Sequence, residues 1–123
     1  MRQSWICWGA GLFALDECTT ILVKNTIMKA MLIRHEKFIV RRRYLIEISV
    51  HQLSRSTKYV DGLKWGLICL DRVSGKRVLM DNHHPKGPHI HIDHRELPYE
   101  FVNLDQLVAD FRRLIVEHMG VQI

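Results

Sequence analysis

Five of the chain's eight histidines fall within twelve residues, His83, His84, His89, His91 and His94. Imidazole titrates near neutrality and both takes and gives protons, so such a cluster suits acid–base chemistry. The segment His89-Ile90-His91-Ile92 alternates. As a short strand it puts His89, His91 and Asp93 on one side and the isoleucines on the other. Alternate residues of a strand lie about 6.6 Å apart, within reach of a common ligand. Pro85, Gly87 and Pro88 make 84–88 a turn that returns His83 and His84 to the same neighbourhood. Lys86, Arg95, Asp81 and Glu96 add charge of both signs.

Three chemistries fit this cluster. In RNA cleavage, one imidazole deprotonates the ribose 2′-OH and another protonates the leaving 5′-oxygen. Lys86 and Arg95 would then offset charge on the phosphorus centre, and Asp81 or Glu96 would orient a ring. His89 and His91 are the first choice for the acid–base pair, with His83 or His84 as substitute. Alternatively, His89 and His91 hold a divalent metal together with Asp93 or another neighbour, as His-x-His spacing allows. Finally, the residues can form a solvated loop or a docking surface with no catalysis. The reading adopted is the first, which needs no cofactor and no metal.

The elements that must position the cluster are legible from Met28 onward. Ala30–His35 and Phe38–Val40 are mostly apolar. Tyr44, Ile46, Ile48 and Val50 alternate with Leu45, Glu47, Ser49 and His51, the period-two pattern of a half-buried strand. Residues 53–62 read as a polar loop, with Tyr59 in its basic surroundings as a base-stacking candidate. Lys64–Leu70 reads as a central strand, and Ser74-Gly75 turns it into a partner over Arg77–Asp81. Trp65 and Tyr44 are expected in the core. Pro98-Tyr99-x-Phe101 lies just ahead of a helix and reads as an anchor to that core. The helix has Asn103 as N-cap, an apolar stripe of Leu104, Leu107, Val108, Phe111, Leu114 and Ile115, and Gly120 as its stop. The expected fold is therefore α+β: a small antiparallel sheet of about four to five strands packed by one C-terminal helix.

Composition bounds the rest. The 123 residues suit one domain, and 47% apolar with 25% charged residues excludes collagen, coiled coil and bulk disorder. Three scattered cysteines (Cys7, Cys18 and Cys69) form neither a disulfide framework nor a zinc ligand series, and suit a reducing cytoplasm. Residues 1–27 are neutral overall, so the net charge of +5 belongs to 28–123. The apolar run 5–15 is too short to span a bilayer. It lacks a clear small-x-small cleavage site, so 1–27 is read as a leader or an upstream extension before one working domain, 28–123, with an extra helix or strand as the alternative. Arg41-Arg42-Arg43, with Arg55, Lys58 and Lys64 around the next loop, makes an acidic partner such as RNA a reasonable ligand.

From Met28 to about Met119 the chain resembles the TumE family of bacterial toxins. The residues that carry this are Asp81-Asn82-His83-His84, Lys86-Gly87-x-His89-x-His91, Glu96-x-Pro98-Tyr99-x-Phe101 and Leu107-x-Ala109-Asp110-Phe111. The resemblance implies a cytoplasmic toxin of a type II toxin–antitoxin module, neutralised by a helix-turn-helix antitoxin encoded beside it. The family's usual Asp-Gly-type turn is replaced here by Arg41-Arg42-Arg43, a stronger anion site. Combined with the cluster's chemistry, the expectation is a metal-independent endoribonuclease, with Lys86, Arg95, Arg41, Arg42 and Arg43 binding phosphate. The rivals are a non-catalytic growth inhibitor that docks on RNA or protein, and a metal-dependent hydrolase built on His-x-His. No membrane association is expected, and the oligomeric state is open.

Overall fold

A computed structural model describes residues 18–23, 26–54 and 59–123, with side chains from Ala30 onward. Seven strands follow one another as β1 (Cys18–Val23), β2 (Thr26–Val40), β3 (Tyr44–Leu53), β4 (Leu63–Asp71), β5 (Arg77–Asp81), β6 (His89–Ile92) and β7 (Arg95–Pro98). Each pairs antiparallel with the next, in the order β1-β2-β3-β4-β5-β6-β7. One helix, α1 (Leu104–Met119), closes the chain. The α+β class with an antiparallel sheet and a single C-terminal helix is as the residue pattern predicts.

The strand count is a correction, since four to five were expected and the described residues form seven. Two causes account for it. Arg95–Pro98 reads as loop by composition, yet it pairs with β6 in the register His91↔Glu96 and Ile92↔Arg95. The ladder also continues upstream of Met28, where Cys18–Val23 pairs with Thr26–Met31. Within β2 the polar pair Glu36-Lys37 is no interruption, because both residues pair with β3 opposite Ile48 and Glu47. Residues 1–17, and with them Cys7 and most of the leader segment, lie outside the described residues.

The helix sits on one face of the sheet. That face is built by Ile46, Ile48 and Val50 of β3, Trp65, Leu67 and Cys69 of β4, Val78 and Met80 of β5, and Ile90 and Ile92 of β6. Leu107, Val108, Phe111 and Ile115 of α1 cover it. Asn103 caps the helix, its side chain accepting from the Gln106 N–H at 2.8 Å. Gly120 ends it in the left-handed region at φ 68°, a backbone conformation that strains any residue with a side chain. Trp65 stacks on Phe101 (5.6 Å between centroids) and meets Tyr99 edge-on at 6.1 Å. The Tyr99 hydroxyl donates to Asp110 Oδ2 at 2.6 Å. Tyr99 and Phe101 are thus structural anchors, as expected. Among the described residues no helix is long and apolar enough to cross a membrane.

Candidate functional site

Committing Ile90 and Ile92 to the helix-covered core forces His89 and His91 onto the opposite face of the sheet. Register then decides their neighbours. Asp81 of β5 stands opposite His89, and Glu96 of β7 stands opposite His91. The turn between β5 and β6 brings Lys86 alongside, 2.8 Å from Glu96 Oε1. A shallow hollow of about 350 Å³ opens here, lined by Lys86, Pro88, His89, Glu96, Leu97 and Pro98.

His89 is fully engaged. Its Nδ1 donates to the Gly87 carbonyl at 2.7 Å and its Nε2 to Asp81 Oδ1 at 2.9 Å. With Nδ1 bonded to a carbonyl and Nε2 facing a carboxylate, the surroundings favour the imidazolium. The Asp81 hydrogen bond accordingly raises the His89 pKa against the opposing effect of burial. For Asp81, burial pushes the pKa up, but the hydrogen bond and charge of His89 outweigh it and the carboxyl titrates below its ordinary value. The two form a buried ion pair on the site's inner wall.

His91 is the complement. Its ring meets that of His89 at 4.6 Å and 82°, and its Nε2 lies 3.6 Å from Glu96 Oε1, beyond a good hydrogen bond. Burial, then the positive charge of His89, lowers its pKa. Both effects favour the neutral imidazole. Glu96 is kept ionised chiefly by its hydrogen bond to Lys86. One face thus presents an imidazolium, a neutral imidazole, two carboxylates and an ammonium.

Other expected residues stand elsewhere. Asp93 does not join His89 and His91. It lies in the left-handed region at φ 54° in the β6–β7 turn, accepts from the Arg77 N–H at 3.0 Å, and faces His118 Nε2 at 2.9 Å. The turn breaks the strand alternation on which its placement rested, and Glu96 takes its place. His83 and His84 flank the site from the loop after β5. The backbone N–H of His83 contacts Asp81 Oδ1 at 3.4 Å, and its buried Nδ1 has no hydrogen-bond partner. Burial lowers the His83 pKa. Asn82 of the same motif is structural, accepting from the Trp65 N–H at 2.9 Å and donating to the Leu63 carbonyl at 2.8 Å.

Arg43 is also a correction, because its Nε and Nη2 donate to Asp71 Oδ1 and Oδ2 (2.7 Å each), which commits the guanidinium to an ion pair within the fold rather than to phosphate. The Asp71 carboxyl, held by that guanidinium, titrates well below its usual range. Arg41, Arg42 and Arg95 are exposed. Tyr59 is no stacking platform: it is buried, and its hydroxyl accepts from the His84 N–H at 3.2 Å. Arg55 and Lys58 lie outside the described residues.

The residue pattern also misassigned the polar side of β3. Glu47, Ser49 and His51 fall on the polar side of that alternation and Lys64 of β4 read as flanking a basic loop, but all four are buried. Glu47 receives His35 at 3.0 Å and Lys37 at 3.8 Å. Register lines up His35, Ser49, Gly66, Asp81 and His89 in one row across five strands. The available signal was that β3 and β4 are central strands, where a polar face need not be a wet one.

What fold and site define together is a seven-stranded α+β meander with a histidine–carboxylate cluster on its helix-free face. No protein-family model, curated protein or solved structure matches the chain.

Proposed function

We propose that the protein is the toxin of a type II toxin–antitoxin module and acts as a metal-independent endoribonuclease. The observation that carries the catalytic part is the pairing of a neutral imidazole, His91, with an imidazolium, His89, whose rings are 4.6 Å apart beside an open hollow. RNA cleavage by 2′-OH attack needs one group able to accept a proton and another already holding one. His91 takes the 2′-OH proton at Nε2. A phosphate entering the hollow competes with Asp81 for the His89 Nε2–H, which stabilises the phosphorane and then protonates the 5′-oxygen. Lys86, at the rim, neutralises a non-bridging oxygen, while Glu96 holds Lys86 and faces His91.

Further contacts to the RNA backbone come from Arg41 and Arg42, exposed at the β2–β3 turn. That turn lies three to four strand spacings from β6, about 14–19 Å. Arg95 is exposed on β7 but pairs with Ile92, so alternation turns it to the face opposite Glu96 and away from the cluster. The toxin assignment, the cytoplasmic setting and the helix-turn-helix antitoxin as partner rest on the resemblance of 28–119 to the TumE family.

The test is incubation of the purified full chain with total RNA, with and without EDTA, repeated with His91→Ala. The expected result is cleavage that persists in EDTA and falls at least 100-fold in the variant. Absence of cleavage under every condition overturns the ribonuclease. Loss on adding EDTA transfers the chemistry to a metal. RNA bound but not cut leaves a docking inhibitor. Growth arrest on expression, relieved by the neighbouring gene, tests the toxin separately.

A further inference from the structure

We infer that His89, His91 and Glu96 form a binding site for a divalent cation of the zinc type. The three ligand atoms, one from each residue, all lie within 4.8 Å of one another. Glu96 Oε1 is 3.9 Å from His89 Nε2 and 3.6 Å from His91 Nε2. Zinc–nitrogen and zinc–oxygen bonds of about 2.0–2.2 Å in a tetrahedron set ligand–ligand separations of about 3.3–3.5 Å. Closing these two distances therefore takes shifts of only a few tenths of an ångström. Two imidazoles from one strand plus one carboxylate from the next give the donor set that zinc favours in open sites.

Two further observations support the site. The His89 Nδ1–H bond to the Gly87 carbonyl (2.7 Å) fixes the ring with Nε2 turned to the cluster, the support that metal-bound histidines usually have. Asp81 Oδ1, 2.9 Å from that same Nε2, keeps a second carboxylate beside the site without joining the three ligand atoms. Freeing Glu96 costs little, because its bond to Lys86 is an exposed ion pair.

One consequence rests on the ribonuclease reading. A bound zinc takes the lone pair of His91 and displaces the proton from His89 Nε2, so occupancy and acid–base cleavage exclude each other. Zinc is then an inhibitor of the same site, and the enzyme works metal-free.

The experiment titrates the EDTA-stripped, dialysed full chain with zinc chloride, by calorimetry and by competition with a chromogenic chelator. Expected is one zinc per chain, with affinity at least 10-fold weaker in His91→Ala and in Glu96→Gln, and unchanged in His94→Ala. Glu96 is partly exposed, so its variant keeps the fold and the comparison stays decisive. Absence of stoichiometric binding overturns the site, as does wild-type affinity in Glu96→Gln and His91→Ala. If the metal-free chain cuts no RNA while zinc still binds with this variant pattern, the ribonuclease falls and the metal site stands. Cleavage undiminished at saturating zinc overturns the mutual exclusion.

Discussion

Replacing Asp81 by Asn keeps the side-chain shape and removes only the charge that faces His89. Both side chains are almost fully buried, at 4% and 8% exposure, and their atoms are 2.9 Å apart. At an effective dielectric of about 20 the gross attraction is about 6 kcal/mol. Most of that is offset by the desolvation already incurred, leaving about 1.5–3 kcal/mol for a charge-assisted hydrogen bond. Losing one partner of a buried pair can cost about 3–5 kcal/mol when the other must stay charged. Histidine, unlike lysine or arginine, sheds its proton near neutrality at little expense, so the smaller figure applies. We expect Asp81→Asn to lose about 2 kcal/mol in urea denaturation at pH 6 with EDTA present. A double-mutant cycle with His89→Gln should return a coupling energy of the same size. Cleavage should fall by about 100-fold, because the imidazolium loses its counter-charge. A coupling below about 0.5 kcal/mol would refute the claim that Asp81 holds His89 as a cation.

Three other outcomes follow from the same structure. His51, buried and beside Lys64, has its pKa lowered to about 4. The unfolded chain then binds the extra proton between about pH 6.5 and that value, so this stabilisation is complete above pH 6.5 and is lost as pH falls toward 4. The loss amounts to roughly 3 kcal/mol. His51→Gln should flatten that limb of the stability profile, and an unchanged slope contradicts the assignment. Arg41 and Arg42 occupy the left-handed region at φ 53° and 57°, closing a two-residue turn by the Arg43 N–H bond to the Val40 carbonyl at 3.0 Å. Asn-Gly at these positions should stabilise the chain by about 1–2 kcal/mol and lower the salt slope of RNA binding by about 1.4, read by denaturation and by binding at several salt concentrations. Tyr99→Phe removes the bond to Asp110 and should cost about 1 kcal/mol in urea denaturation.

The helix was the most legible element, because an N-cap, an apolar stripe and a terminal glycine each restrict the same segment. Strands β3 to β6 were legible from alternation, including the division of Ile90 and Ile92 from His89 and His91. Alternation says which residues share a face, but nothing about whether that face is wet. Glu47, Ser49, His51 and Lys64 were therefore missed as buried groups. Asp93 was misplaced because a left-handed residue ends the alternation that put it beside His91. Arg43 looked like part of a basic run, and only the β2–β3 and β4–β5 turns coming together reveal Asp71 as its partner. Glu96, by contrast, was recognisable as a charge near the cluster. What sequence could not supply was the strand β7 that brings it opposite His91.

The position of the cluster near one margin of the sheet grades its electrostatics. Asp81 and His89 lie on the two strands inside Glu96, with Lys86 at the β5–β6 turn, and exposure rises from 4% and 8% for the inner pair to 42% and 61% for Glu96 and Lys86. The inner pair is therefore fixed, charged and costly to disturb, while the outer pair is an ion pair that solvent largely screens. His91, on the same strand as His89 and at 12% exposure, has its Nε2 3.6 Å from Glu96, too far for a good hydrogen bond. A ligand must reach it from the β7 side, past Lys86 and Glu96, and any anion that displaces Glu96 from Lys86 gains that ammonium. The strand itself is exposed throughout, with Arg95 and Glu96 charged and Pro98 unable to donate to a further strand. Those features discourage another chain from pairing there and keep the approach to His91 open. The same edge strand thus supplies a ligand atom, carries the rim charge and protects the opening, which is why so short and exposed a segment matters to the site.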